Sequence, residues 1–389
     1  MSNSSLQLGY VIGKFVGIFV VPTIAPSHRF PLLLSLPVIS TTVWLLLALL
    51  HDTGPSTVFL CFFVSAMPLS MAWSLLYRYL EGRNHSDVLG AILSASIIIG
   101  SAIAKTIGGS LVSAGLSIYW MPFVASLIYL IPFLGFAFLV QATPEPSATE
   151  RRKMNSRYPL SQSEKFEFFR RHWIGLVSMT LGYMLLTSAR DYRDTFTVDI
   201  FEELSGEEEE SVSDLVFLLD VPVGIFVCGV LVMLTFIEDN AKNVLCEHGI
   251  MFGGYFLLIF FQLLFSANIV GNSAWYMGIG VGTYLAYTPV AAMFYDRIGG
   301  ALPAAELVGT ATFMIQLSDF SGYIGTVLLY SFQGFGLLTF GVDEDSDGFY
   351  LDYYRLFSLF VIVVGCFGMG MTAISFTYWR RTLLVAKVM

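Results

Sequence analysis

Only 13% of the 389 residues are charged, yet several ionisable side chains stand inside long apolar runs. Lys14 sits between Gly13 and Gly17, Lys105 between Gly100 and Gly108, and Asp220 and Asp319 are lone carboxylates in similar surroundings. A further run ends in Arg190-Asp191-Tyr192-Arg193-Asp194. A charge at membrane depth costs roughly 2.5–3.5 kcal/mol on insertion scales, so those that persist mark pathways, relays or pairs. Lys14, Lys105, Arg190 and Arg193 could attract an anionic group of a small solute, the arginines as bidentate clamps. The plainer alternative is that the lysine stems snorkel to an interface or pair with Asp220 or Asp319. On a helix Arg190 and Asp194 are i,i+4 neighbours and Arg190 and Arg193 share a face. With Asp191 and Asp194 they could form a gate that breaks and re-forms, or exposed pairs worth about 0–1 kcal/mol each. Asp220 and Asp319 could exchange a coupling proton, or bond to a neighbouring helix. Glu81, Arg83, Asp296 and Arg297 fall at run ends, where they would staple two halves together. Gln262, Asn268 and Gln316 either face a cavity or join helices.

Other patterns carry less. Gly278, Gly280 and Gly282 alternate like a nucleotide loop, but no strand precedes them, and small residues serve close helix packing. Asp343-Glu-Asp-Ser-Asp-Gly348 begins like a calcium loop, but Tyr354 stands where a bidentate Glu belongs. Asn84-His-Ser86 and Asn3-Ser-Ser5 match glycosylation acceptors. The histidines lie in loops or at run ends, and Cys61, Cys228, Cys246 and Cys366 lack paired spacing and read as small buried hydrophobes. No metal site, cofactor or enzyme activity is therefore expected.

These residues are positioned by membrane helices. Hydrophobic residues make up 56% of the chain and its mean hydropathy is +0.72, too apolar for a water-soluble body of this size. A helix needs roughly 20 apolar residues to cross a hydrocarbon core. Such runs occupy Leu6–Ile24, Pro31–Leu50, Val58–Tyr77, Val88–Val112, Ile118–Val140, Trp173–Ala189, Leu215–Ile237, Val244–Phe265, Ala274–Phe294, Leu307–Phe332 and Tyr353–Tyr378, eleven in all. They are continuously apolar, without the alternation of barrel strands, so the chain is an all-α polytopic membrane protein. Trp120, Trp173, Trp275 and Trp379 fall at run ends, as an interfacial belt would place them. Lys and Arg concentrate in the loops on the C-terminal side, including Arg151, Arg152, Lys153, Arg170, Arg171, Arg380 and Arg381. The positive-inside rule then puts the C-terminus in the cytoplasm and the N-terminus outside. The acidic stretches near Glu202–Asp214 and Asp343–Asp352 fall outside, and a net charge of −9 argues against nucleic acid as a partner. No signal peptide is read at the N-terminus. The expected units are a bundle of five helices at 1–141, a cytoplasmic linker with a short interfacial helix at 142–171, and six helices at 172–389.

The halves also match weakly. Tyr79-Leu-Glu-Gly-Arg83 corresponds to Tyr295-Asp-Arg297, and Ser101-Ala-Ile-Ala-Lys-Thr-Ile-Gly108 can be laid against Ser318-Asp-Phe-Ser-Gly-Tyr-Ile-Gly325. Corresponding positions in two halves mark transporters built from repeats. With Gly9-Tyr-Val-Ile-Gly-Lys14, the Phe168-Phe169-Arg170-Arg171 approach and Arg190–Asp194, the chain resembles the major facilitator superfamily, and more closely an uncharacterised membrane family of unknown function within it. That resemblance implies six plus six helices. Gly9–Lys14 looks like the second helix of that plan, so a first helix is missing and the arrangement is five plus six. The implied function is secondary transport of a small polar or anionic solute across a lipid bilayer, with a coupling proton or ion as a second partner. A receptor-like or scaffold descendant of a transporter is the rival expectation.

Overall fold

The computed structural model describes residues 2–80, 86–144, 162–205, 209–302, 310–340 and 352–386. Its elements are α1 (Ser2–Val20), α2 (Pro26–Leu50), α3 (Pro55–Leu80), α4 (Ser86–Ser113), α5 (Met121–Gln141), α6 (Gln162–Thr195), a short α7 (Thr197–Ser205), α8 (Glu209–Thr235), α9 (Asn240–Ser266), α10 (Asn272–Pro289), α11 (Tyr295–Ala301), α12 (Thr310–Phe340) and α13 (Tyr353–Ala386). A π-helical turn, Val290–Phe294, joins α10 to α11 into one rod. The protein is thus an all-α, multi-pass membrane protein in which the eleven expected runs each match one long helical rod. Eight described helices are long and apolar enough to cross a bilayer. The other long ones, α1, α6 and α12, carry the buried Lys14, Arg190 to Arg193, and Asp319.

Local chemistry explains several ends and contacts. Asp239 caps α9 by accepting from the Lys242 N–H at 3.2 Å. At its other end Asn268 takes φ 57°, and the Ile269 N–H returns to the Leu264 carbonyl at 2.9 Å, the left-handed closure asparagine tolerates. Glycines let rods approach. A Cβ on Gly9 or Gly13 of α1 would collide with the α3 backbone near Phe63 and Met67, and one on Gly282 of α10 would fall 2.9 Å from the Gly254 carbonyl of α9. The Gly278–Gly282 pattern is therefore packing, as expected. Asn84 and the Asp343–Gly348 stretch lie outside the described residues.

The second half has one continuous core, from Leu176 and Tyr183 on α6 through Tyr255, Trp275 and Phe294 to Phe357 and Trp379. Among the described residues the first half has only small patches, such as Leu33, Leu36, Leu75 and Ala137, and Ala137 is the buried residue of α5. Two of the tryptophans expected at an interface are core residues instead. Trp275 donates to Gln262 at 3.0 Å, and Trp379 stacks on His172 with 5.4 Å between ring centroids. Cys246 and Cys366 are exposed on helix surfaces rather than buried, an acceptable place for a weakly polar thiol against hydrocarbon. His248, expected near a span end, is buried in α9, held by the Val244 carbonyl and Ser375. Helix α6 bends at His172 (φ −112°, ψ 17°), so a helical leader from Gln162, with Phe168 buried and Phe166 exposed, precedes its apolar part.

Two seams join the halves. Along one, α1 runs antiparallel to α12: Tyr10 stacks on Tyr323, Phe15 meets Phe320, and Gly17 lies beside Gln316. Along the other, Ala91 and Ile98 of α4 share a core with Val223, Val227 and Leu231 of α8. At the α11 end, the Tyr77 hydroxyl of α3 donates to the Ala292 carbonyl within the π turn at 3.2 Å. A π turn displaces a carbonyl from its usual helical partner, and a hydroxyl from the other half satisfies this one.

Candidate functional site at the seams

One turn of α6 supplies most of the charge. Residues advance about 100° each around a helix, so Arg190, Asp191, Arg193 and Asp194 point to different neighbours. Arg193, 1% exposed, donates to Asp220 of α8 at 2.6 Å and lies 3.8 Å above the Tyr276 ring of α10. Gly280 makes room for it, since a Cβ there would sit 2.8 Å from the guanidinium. Tyr276 extends its hydroxyl to the second Asp220 oxygen at 3.4 Å. Arg190 lies 4.4 Å over the Tyr287 ring and turns back to Asp191 at 2.5 Å. Asp191 also accepts from Thr326 of α12 at 2.8 Å. The expected Arg190–Asp194 pair does not form, because Asp194 is taken by Lys105 and Arg193 and by the Tyr284 hydroxyl at 3.3 Å.

Both lysines of the first half find their carboxylates in the second. Lys14 on α1 meets Asp319 on α12 at 2.6 Å, with Lys14 3% exposed. Asp319 accepts a second bond from Tyr183 of α6 at 2.9 Å. Lys105 on α4 reaches Asp194 at 3.4 Å, and this pair is about a fifth exposed. Sequence reasoning offered Asp220 or Asp319 as lysine partners. Lys14 takes Asp319, whereas Asp220 already serves Arg193, leaving Asp194 to Lys105. The site thus alternates charges of both signs, and each of its cations touches a carboxylate.

The tyrosine shell was not anticipated. Tyr276, Tyr284 and Tyr287 recur on one face of α10, and Tyr183 stacks on Tyr287 with centroids 4.9 Å apart. Their helical spacing, in step with Gly280, was the available signal. Gln262 joins helices through Trp275 and Tyr354. Gln316 is fully buried, and neither amide atom has a partner. Of the expected staple, Arg297 donates to Asn240 at 2.8 Å beside Asp296, while Glu81 and Arg83 lie outside the described residues.

Residues 4–382 match the model of a family described as "Family of unknown function (DUF5690)". The chain belongs to this family. No curated protein matches it. Among solved structures, the DUF5690 chain is similar to the proton:xylose symporter XylE of the major facilitator superfamily, with 14% identity over 96% of this chain and 84% of that one and a TM-score of 0.62. It is also similar to the E. coli fucose:proton symporter FucP, with 12% identity over 98% and 90% and a TM-score of 0.58. A bacterial homologue of the iron transporter ferroportin in its outward-facing state matches at 11% identity over 97% and 89%, TM-score 0.58. At these identities the likeness concerns the fold: DUF5690 has the two-bundle architecture of the major facilitator superfamily.

Proposed function

We propose that this DUF5690 protein is a secondary transporter that moves a small polar solute across a bilayer by alternating access. The single observation that carries this reading is the pairing of Lys14 and Lys105, one on each seam, with carboxylates of the opposite half. In this reading residues 1–141 and 172–389 rock as two bodies, linked by 142–171, with the N-terminus outside and the C-terminus cytoplasmic. Opening toward the Arg193 end parts Lys105 from Asp194; opening toward the π turn parts Tyr77 from Ala292. Lys14–Asp319, between those levels, is re-made or replaced by solute in each cycle. Arg190, Asp191, Arg193 and Asp220 hold the wall of the path. Parting Lys14 from Asp319 is the cost that bound solute must offset, which ties the α1–α12 seam to occupancy of the path. Superposition on proton-coupled sugar symporters supports rocking of this kind by analogy of fold.

The test is flux. Purified protein is screened by thermal shift against solute classes, and any stabilising solute is then followed as tracer in proteoliposomes. Uptake that Lys14→Gln reduces, with insertion intact, is expected; no uptake of any stabilising solute refutes transport. A receptor-like or scaffold role is the second reading, favoured by the thin packing of α5; it gives solute binding without flux.

A further inference from the structure

Hydrogen-bond capacity around Lys14 and Asp319 is unevenly used. The Lys14 ammonium has three donors, and its contact in the structure is the single bond to Asp319. Gln316 lies one turn from Asp319 on α12, with its amide against Gly17 of α1, where a Cβ would fall 3.2 Å from the amide nitrogen. It is fully buried, and its two N–H groups and its carbonyl are all unpartnered. Asp319 accepts from Lys14 and Tyr183 and keeps lone pairs in reserve. Donors from Lys14 and Gln316 and acceptors from Asp319 and Gln316 are therefore all carried within the one α1–α12 seam, a helical turn apart on α12.

Charge narrows the class of solute. Each cation of the site already has a carboxylate, so a solute of net charge entering a low-dielectric seam would leave one charge unmatched. A neutral polyol would separate Lys14 from Asp319 without replacing either charge. A zwitterion does neither: its carboxylate takes the Lys14 and Gln316 donors, its ammonium takes Asp319 and the Gln316 carbonyl, and one ion pair becomes two.

We propose that the solute is an amino acid or a similar compact zwitterion, bound between Lys14 and Asp319 with Gln316 as the residue that recognises both of its ends. This rests on the transport reading above and names its substrate class. A buried amide without partners is also a standing cost to the closed protein, so its removal should act oppositely on stability and on function.

The experiment uses the full chain in proteoliposomes with matched labelled trios: glycine, acetate and methylamine; leucine, 4-methylpentanoate and isopentylamine; and xylose alone. Uptake of the amino acids should exceed that of the acid or amine alone by at least about tenfold. Gln316→Met, close in shape but without hydrogen-bonding groups, should leave melting temperature unchanged or raised while cutting amino-acid uptake about tenfold or more. Gly17→Ala, which presses on the amide, should reduce uptake less. Equal or faster uptake of acetate, 4-methylpentanoate or xylose overturns the zwitterion while leaving transport standing. Gln316→Met that melts earlier and loses uptake only in proportion makes Gln316 a helix joiner and overturns its assignment. Absence of flux for every compound removes the transport reading and this inference with it.

Discussion

Replacing Lys14 by methionine strands the Asp319 carboxylate where it is about a tenth exposed. At 2.6 Å and an effective dielectric near 20, the gross attraction within the pair is about 6 kcal/mol. Desolvation of both groups offsets most of this, so the pair itself contributes little net stability, but removing one member of a buried pair costs about 3–5 kcal/mol. Lys14→Met should therefore lose that amount, and Asp319→Asn, which strands the ammonium, a similar amount. The double variant leaves no stranded charge and keeps an acceptor for Tyr183, so it should lose less than about 2 kcal/mol. Additivity would demand roughly 6–10 kcal/mol for the double variant; the coupling energy should thus be about 4 kcal/mol or more. Equilibrium unfolding of the four proteins in one detergent measures the cycle. A double variant that loses the sum of the singles, or a Lys14→Met that costs less than about 1 kcal/mol, refutes a buried ion pair across the α1–α12 seam.

Lys105→Met should cost only about 0–1 kcal/mol in the same unfolding assay, because its pair with Asp194 is longer at 3.4 Å and partly exposed; a loss near that of Lys14→Met contradicts this. Gly280→Ala forces a methyl within 2.8 Å of the Arg193 guanidinium, so either the arginine or α10 must shift. A destabilisation of about 1–3 kcal/mol by overpacking is expected, and Arg193→Lys, with its slimmer end, should recover part of it in the double variant. Outside the spans, Glu203 of α7 accepts the N–H groups of Tyr353 and Tyr354 at 3.0 and 2.8 Å, while burial raises its carboxyl above the ordinary 4.5. A raised carboxyl contributes stability that is present below pH 4.5 and lost as pH rises through the raised value. Wild type should accordingly gain on Glu203→Gln in melting temperature between pH 7 and pH 4, and a shift of the opposite sign would show the backbone bonds prevailing over burial.

How much of this was legible in the sequence depends on range. Helices follow from runs of apolar residues, a local property, so the rods appear close to where hydropathy places them. Charges within those runs were also conspicuous, because a lysine such as Lys14 has few ways to be tolerated there. Which carboxylate it meets was not readable: Asp319 lies 305 residues away, and the choice is made by helix neighbours rather than by sequence spacing. The i,i+4 expectation for Arg190 and Asp194 failed for a related reason. Local geometry permitted that pair, but tertiary partners on α4 and α10 outbid it. The repeat did anticipate something useful. Ser101–Gly108 and Ser318–Gly325 lie on α4 and α12, each of which packs against a helix of the other half at one of the two seams. Tryptophan position misled, since Trp275 and Trp379 sit at run ends yet face inward, and run ends do not report direction around a helix.

Residues 190 to 194 on α6 hold contacts with α4, α8, α10 and α12 at once. No small rotation or slide of that helix improves one of these contacts without stretching another, so halfway positions leave buried charges facing the wrong neighbours. α6 is therefore held in register with α8, α10 and α12, and any displacement past α4 carries the four rods as one block.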